Sequence, residues 1–176
     1  MALHWLIAAA VLGQIGLGLV MTRMTPGTME QWGAYQLHKS IGVTILLASV
    51  MRLVWRLMNP VPPQPAGLGP WEGRVARAAH WGFYALLIGM PLTGWLLVSA
   101  SPWNIPTVLF DTVPWPHLPL DKAAATEDAF KQVHRALGWL FAAMIALHVG
   151  AALRHHWLLK DDVLRRMLPV GGERAE

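Results

Sequence analysis

The chain has no cysteine in its 176 residues. That absence removes disulfides, thiolate nucleophiles, iron–sulfur clusters and cysteine zinc sites together. Charge is also scarce: Asp, Glu, Lys and Arg make up 14% of the residues, against about 25% in an ordinary soluble domain. With 55% hydrophobic residues and a mean hydropathy of +0.39, a water-soluble globule is excluded, and so is a disordered chain, which needs the opposite balance. No glycine-rich dinucleotide fingerprint or flavin motif occurs, so a nicotinamide or flavin is not a direct partner. The unusual inventory that is left consists of eight His and ten Trp.

About 20 apolar residues cross a bilayer as a helix. Four stretches reach that length, at about 4–22, 36–57, 78–99 and 130–159. The first lacks a basic leader and a small-residue cleavage site, so it reads as a retained helix and not as a signal peptide. A proline-rich connector from Asn59 to Pro70 separates the second stretch from the third. Residues 100–129, with five prolines, form a longer link expected to be periplasmic and to hold a short surface helix or a partner site. The fold class expected is all-α, an integral membrane four-helix bundle over 1–176.

Lys and Arg near the span ends set the orientation. One side holds Arg52, Arg56, Arg74, Arg77, Arg154, Lys160, Arg165, Arg166 and Arg174; the other holds Arg23, Lys39, Lys122, Lys131 and Arg135. Both termini are therefore expected in the cytoplasm. The basic balance points to anionic lipid before nucleic acid. Trp5, Trp32, Trp55, Trp71, Trp103 and Trp157 fall near span ends, as an interfacial belt requires.

An ionisable side chain inside a span is a functional hypothesis by default. His134 and His148 lie 14 residues apart on the fourth span, which puts them on one helix face about 21 Å apart. That distance suits two stacked cofactors and is too long for one ion. Because neighbouring spans run in opposite directions, His38 on span 2 lies level with His134, and His4 on span 1 lies level with His148. Two imidazoles on opposite sides of a porphyrin iron give a six-coordinate haem suited to electron transfer. Zinc, which needs three or four convergent ligands, competes poorly.

His38 opens HKSIG and His134 opens HRALG, so Gly42 and Gly138 each follow a histidine by four residues on its own face. Clearance for a porphyrin and close helix packing both explain such glycines. His80 opens span 3 at the inner level and rivals His4. His155 and His156 suit a proton relay, a quinone contact or a basic interface cluster with Arg154 and Lys160. His117, in the outer link, is expected to be exposed. Haem propionates need cations, for which Arg52, Arg56, Lys39 and Arg135 are candidates; snorkelling to lipid headgroups competes for each. Pro91, with Gly89 and Gly94 nearby, is expected to kink span 3.

The chain resembles the bacterial (prokaryotic) cytochrome b561 family over nearly its whole length. The resemblance is carried by HW at His4, HKSIG from His38, RLVWR from Arg52, the proline-rich connector from Pro60 and AHWGFYALLIGMPLTGW from Ala79. It continues through HRALGWL from His134 to LHVGAALRHHWLLKDDVLRRMLP from Leu147, its most specific block. It implies a four-helix di-haem b protein of the bacterial inner membrane with iron ligands His4, His38, His134 and His148. It further implies quinone-linked electron transfer and, in some members, oxidation of superoxide to dioxygen with reduction of ubiquinone. Lys39, Lys131 and Arg135 would then draw the anion toward the outer haem. The competing expectation is a cytochrome b anchor subunit that relays electrons between a partner dehydrogenase or hydrogenase and quinone, docked through the outer link with Trp103 and Trp115. A third possibility, of another class, is a four-helix transporter or structural protein whose histidines bind no cofactor.

Overall fold

The computed structural model describes residues 2–60, 69–161 and 164–167. Four long helices account for most of it: α1 (Ala2–Met21), α2 (Met29–Met58), α3 (Pro70–Ala100) and α4 (Ala124–Arg154). All four are long and apolar enough to cross a membrane. α3 packs along both α2 and α4, and α1 lies against α2. The greater part of the connector, residues 61–68, and the tail beyond Met167, with Arg174, lie outside the described residues.

The helices outrun the apolar stretches because their ends are defined by backbone chemistry, not hydropathy. α2 begins seven residues before its expected start, where the Thr28 hydroxyl accepts a hydrogen bond from the Gln31 N–H at 3.2 Å. Such a cap satisfies one of the donors that a first turn leaves free. Gly27 precedes it at φ 79°, in the left-handed region open to glycine. α2 stops at Asn59 and α3 at Ser101, both extended. Each residue precedes a proline, whose ring clashes with a helical predecessor. α3 begins with Pro70 in the first turn, where a missing N–H costs nothing, and Glu72 accepts from the Gly69 N–H at 3.3 Å. α3 continues as helix on both sides of Pro91, the position of the expected kink. In a bundle of packed helices the one lost backbone bond is tolerated.

Residues 100–129 contain a β-hairpin in place of the expected short helix. β1 (Thr107–Leu109) pairs antiparallel with β2 (Val113–Trp115), Val108 facing Pro114. The turn is made by Phe110 and Asp111 at φ 48° and 57°, and its prolines exclude a helix. The hairpin is tied to the outer end of the bundle by two buried serines. Ser40 Oγ accepts from the Phe110 N–H and Ser99 Oγ from the Leu118 N–H, both at 3.0 Å. Gln36 Nε2 donates to the Pro106 carbonyl at 2.9 Å, and Trp95 Nε1 to the Pro116 carbonyl at 2.8 Å.

Burial is inverted relative to a soluble bundle. Leu6, Leu12, Met51 and Leu147 are exposed on the outer faces, whereas Ser40, Ser49 and Ser99 are wholly buried. Lipid provides no gradient to drive leucine inward, so small residues that let backbones approach fill the contacts. The apolar core that does exist consists of Ile7, Val11, Ile45, Leu86, Leu87 and Phe141. Phe141 is midway in sequence between His134 and His148, so this cluster occupies the middle of the bundle.

At its C-terminal end, α4 passes into a π-helical turn, His155–Leu159, closed by Lys160 at φ 54°. A short 3-10 turn, Arg165–Met167, follows, and the Trp5 indole N–H donates to the Met167 carbonyl at 2.7 Å. The last segment is thereby fastened to the start of α1.

Candidate functional site

Five histidines collect at two levels of the bundle. At one level His38 of α2 meets His134 of α4, with ring centroids 6.2 Å apart and planes at 75°. At the other, His4 of α1 meets His148 of α4 at 6.5 Å and 58°. His80 of α3 stands 6.4 Å from the same His148 ring. His155 and His156 lie just beyond the inner level, in the π-helical turn. Among the described residues no group of three or more His, Asp or Glu side chains converges as a bare ion would require.

The centroid separations test whether an iron atom fits between the rings. A metal–imidazole bond of about 2.0 Å, plus about 1.2 Å from nitrogen to ring centre on each side, separates the centroids by about 6.4 Å. All three observed separations meet that value.

Space around the outer pair is kept by glycines on the two neighbouring helices. A Cβ at Gly18 of α1 would stand 3.3 Å from His38 Cε1, and one at Gly94 of α3 would stand 3.1 Å from His134 Cε1. Gly42 and Gly138, the pair marked by sequence spacing, face elsewhere: the Gln14 amide lies 3.4 Å from the Cβ position of Gly42, and Met90 Cε lies 3.3 Å from that of Gly138. Finding Gly18 and Gly94 from sequence requires the register between helices, which no spacing within a helix reveals. Gln14 carries a sequence signal of its own: beside His4, it is the one polar side chain within α1. It donates to the His38 carbonyl at 2.7 Å and so ties α1 to α2 beside the outer pair. Thr93 was also missed; its Oγ1 lies 3.0 Å from His134 Nδ1.

The inner level is held differently. Phe83 of α3 packs its ring edge on His148 at 5.1 Å and meets Phe141 at 6.1 Å, joining the site to the central core. His4 packs on Trp5 at 5.3 Å. Of the candidate cations, Arg52 stacks over Tyr84 at 5.8 Å, and Arg56 over Tyr84 and Trp81 at 5.6 and 5.7 Å. Both arginines of α2 therefore point toward α3, onto the rings of Tyr84 and Trp81.

At the outer level Lys39 donates to the Pro106 carbonyl at 3.0 Å, while Arg135 is exposed. His117 is half-buried within the outer link and not exposed as expected. Burial and the nearby Lys39 and Lys122 charges hold its imidazole below the usual histidine range, against a smaller opposing effect of a hydrogen bond to Ile105. His155 Nδ1 pairs with Asp161 Oδ2 at 2.5 Å, and Arg154 with Glu72 at 3.3 Å.

Known proteins resemble the chain over nearly its whole length. The family model described as prokaryotic cytochrome b561 matches residues 1–170. "Cytochrome b561 homolog 2" of Escherichia coli (strain K12) is 34% identical over 167 residues, covering 95% of this chain and 87% of the relative. "Probable superoxide oxidase CybB" of Yersinia pestis is 30% identical over 170 residues, covering 95% and 92%. "Cytochrome b561 homolog 1" of Escherichia coli (strain K12) is 29% identical over 136 residues, covering 75% and 73%. With four membrane-spanning helices and a family match over nearly its whole length, the chain belongs to the prokaryotic cytochrome b561 family, multi-pass haem b proteins of the bacterial inner membrane.

Proposed function

We propose that the protein is a di-haem cytochrome that carries electrons across the inner membrane between the periplasmic face and the quinone pool. The observation that carries this reading is the pair of matched separations, 6.2 Å for His38–His134 and 6.5 Å for His4–His148. Two sites of equal span, one toward each end of the same helix bundle, fit two irons and not one. Haem supplies a one-electron carrier whose potential is set by axial ligands and burial.

His38 and His134 would hold the outer group, His4 and His148 the inner one. Gly18 and Gly94 leave room beside the outer imidazoles. Arg52 and Arg56 offer cations to the anionic edge of the inner group, Lys39 and Arg135 to that of the outer. Gly42 and Gly138 let α1 and α3 approach the ligand-bearing helices closely. The Lys and Arg bias supports cytoplasmic termini, with the inner level toward that side of the membrane.

The physiological reaction we assign is oxidation of superoxide at the outer face with reduction of ubiquinone. Two superoxide anions each give up one electron and leave as dioxygen; ubiquinone takes both electrons and two protons to become ubiquinol. Support comes from the relative named "Probable superoxide oxidase CybB", matched over 95% of this chain, and from Lys39, Lys131 and Arg135 at the outer end. In stopped flow, superoxide added to the oxidised protein should reduce its haems, and ubiquinone should reoxidise them. Haems that stay oxidised would remove the reaction.

A second reading, an anchor subunit relaying electrons between a partner dehydrogenase or hydrogenase and quinone, is favoured by the outer link. There Trp103 is 80% exposed, with Phe110 and Val113 exposed nearby. Co-purification of a redox polypeptide, lost on Trp103→Ser, would select it.

A further inference from the structure

Three hydroxyl groups in the bundle share one hydrogen-bonding pattern. Ser40 donates to the Gln36 carbonyl at 2.7 Å and accepts the Phe110 N–H at 3.0 Å. Ser99 donates to the Trp95 carbonyl at 2.7 Å and accepts the Leu118 N–H at 3.0 Å. Thr93 donates to the Met90 carbonyl at 2.7 Å, and its second contact, at 3.0 Å, is His134 Nδ1. A hydroxyl has one proton. With that proton committed to Met90, Thr93 Oγ1 has only lone pairs to offer His134, so Nδ1 must carry the hydrogen. The tautomer follows: Nδ1 is N–H, and Nε2 keeps the lone pair that a metal takes.

We infer that Thr93 is a positioning residue for the outer haem, holding the His134 imidazole in the tautomer and orientation that presents Nε2 to iron. The inference rests on the di-haem reading above. Gly94, next in sequence, lies against the same ring, with its Cβ position 3.1 Å from Cε1. Consecutive residues of α3 thus supply one acceptor and one vacancy: a hydroxyl aligns the ring and an absent side chain admits it. The partner ligand differs. His38 Nδ1 is buried and has no hydrogen-bond partner among the described residues, so the orienting bond at this level falls on His134 alone.

An accepted N–H bond raises the basicity of the opposite ring nitrogen. A more basic ligand favours ferric over ferrous iron. Removing the acceptor should therefore raise the midpoint potential of the outer haem and leave the inner haem unmoved. The experiment is a redox titration with low-temperature EPR of the detergent-solubilised holoprotein as wild type, Thr93→Val, Thr93→Ala and Thr93→Ser, with His134→Ala as reference. The Val and Ala variants should shift one haem upward and change its EPR g values, or lose about 10-fold in affinity for that haem. The Ser variant, which restores the acceptor, should titrate as wild type. Unchanged potentials in both Val and Ala, or a Ser variant displaced as far as they are, would overturn the inference. So would loss of both haems in Val and Ala, which would assign Thr93 to folding. A His134→Ala protein that keeps both haems would instead sink the di-haem reading itself.

Discussion

The His148 imidazole stands 6.5 Å from that of His4 and 6.4 Å from that of His80, so α4 offers one ring to two partners at the inner level. The distances are equal within what separates them from the fitted span. The partners differ in surroundings: His4 is half-buried and packed on Trp5, whereas His80 is exposed. A ligand must be shielded and held, which favours His4. We expect His4→Ala to lose one of two haems and His80→Ala to keep both, measured as haem per polypeptide from the absorption spectrum. The reverse result assigns the inner iron to His80.

Glycine substitutions should separate room beside the outer ligands from helix packing. At Gly94 a new side chain meets His134 at 3.1 Å, tighter than ordinary contact, and the ring it meets is held by Thr93. Gly94→Val should cost about 1–3 kcal/mol through overpacking and release the outer haem while the inner haem stays. At Gly42 the nearest atom is the flexible end of Gln14, at 3.4 Å. Gly42→Ala should keep both haems and move the thermal midpoint little. Equal haem loss in the two variants would reject the assignment of clearance to Gly94.

Charge at the outer end should act on the rate of encounter. The combined variant Lys39→Gln, Lys131→Gln, Arg135→Gln should slow reduction by superoxide by roughly 10-fold at low ionic strength. The difference should shrink as salt is raised and the Debye length falls to about 10 Å at 0.1 M. The expected readout is the bimolecular rate constant at two salt concentrations; a salt-independent deficit would point to damaged haem binding.

The half-buried His117 predicts a pH dependence of a definite sign. Burial, Lys39 and Lys122 lower its folded-state pKa below the unfolded value of 6.5. The unfolded chain therefore binds the proton more readily. The contribution to stability is complete above about pH 6.5 and declines as pH falls through that value and toward the folded pKa. His117→Gln should flatten this part of the thermal-midpoint profile between about pH 7 and 5. An unaltered slope would show that other groups carry it.

Helix ends were less legible than helix centres. Hydropathy marks where lipid surrounds the chain, and it located four spans; it is silent on a Thr28 cap or a Pro70 first turn, so α2 and α3 begin well before their apolar runs. The hairpin of the outer link was hidden for a related reason. Its prolines announced irregularity, but a hairpin held by Ser40 and Ser99 depends on residues far away in sequence. The histidine pairs were legible because a bilayer forces helices to alternate in direction, which converts sequence position into depth.

Depth and helix face are one-dimensional quantities, and the order of residues along this chain determines them: four spans, two histidine levels, His134 and His148 on one side of α4. Rotation of each helix about its axis is not encoded in any single helix. It is settled by how all four pack, and only the tertiary structure decided that Gly18 and Gly94, and not Gly42 and Gly138, lie against the imidazoles. The same packing set the Thr93 hydroxyl beside His134 and brought both His4 and His80 to His148. In lipid no water gradient tells a helix which face to turn inward, so close contact between small residues makes that choice.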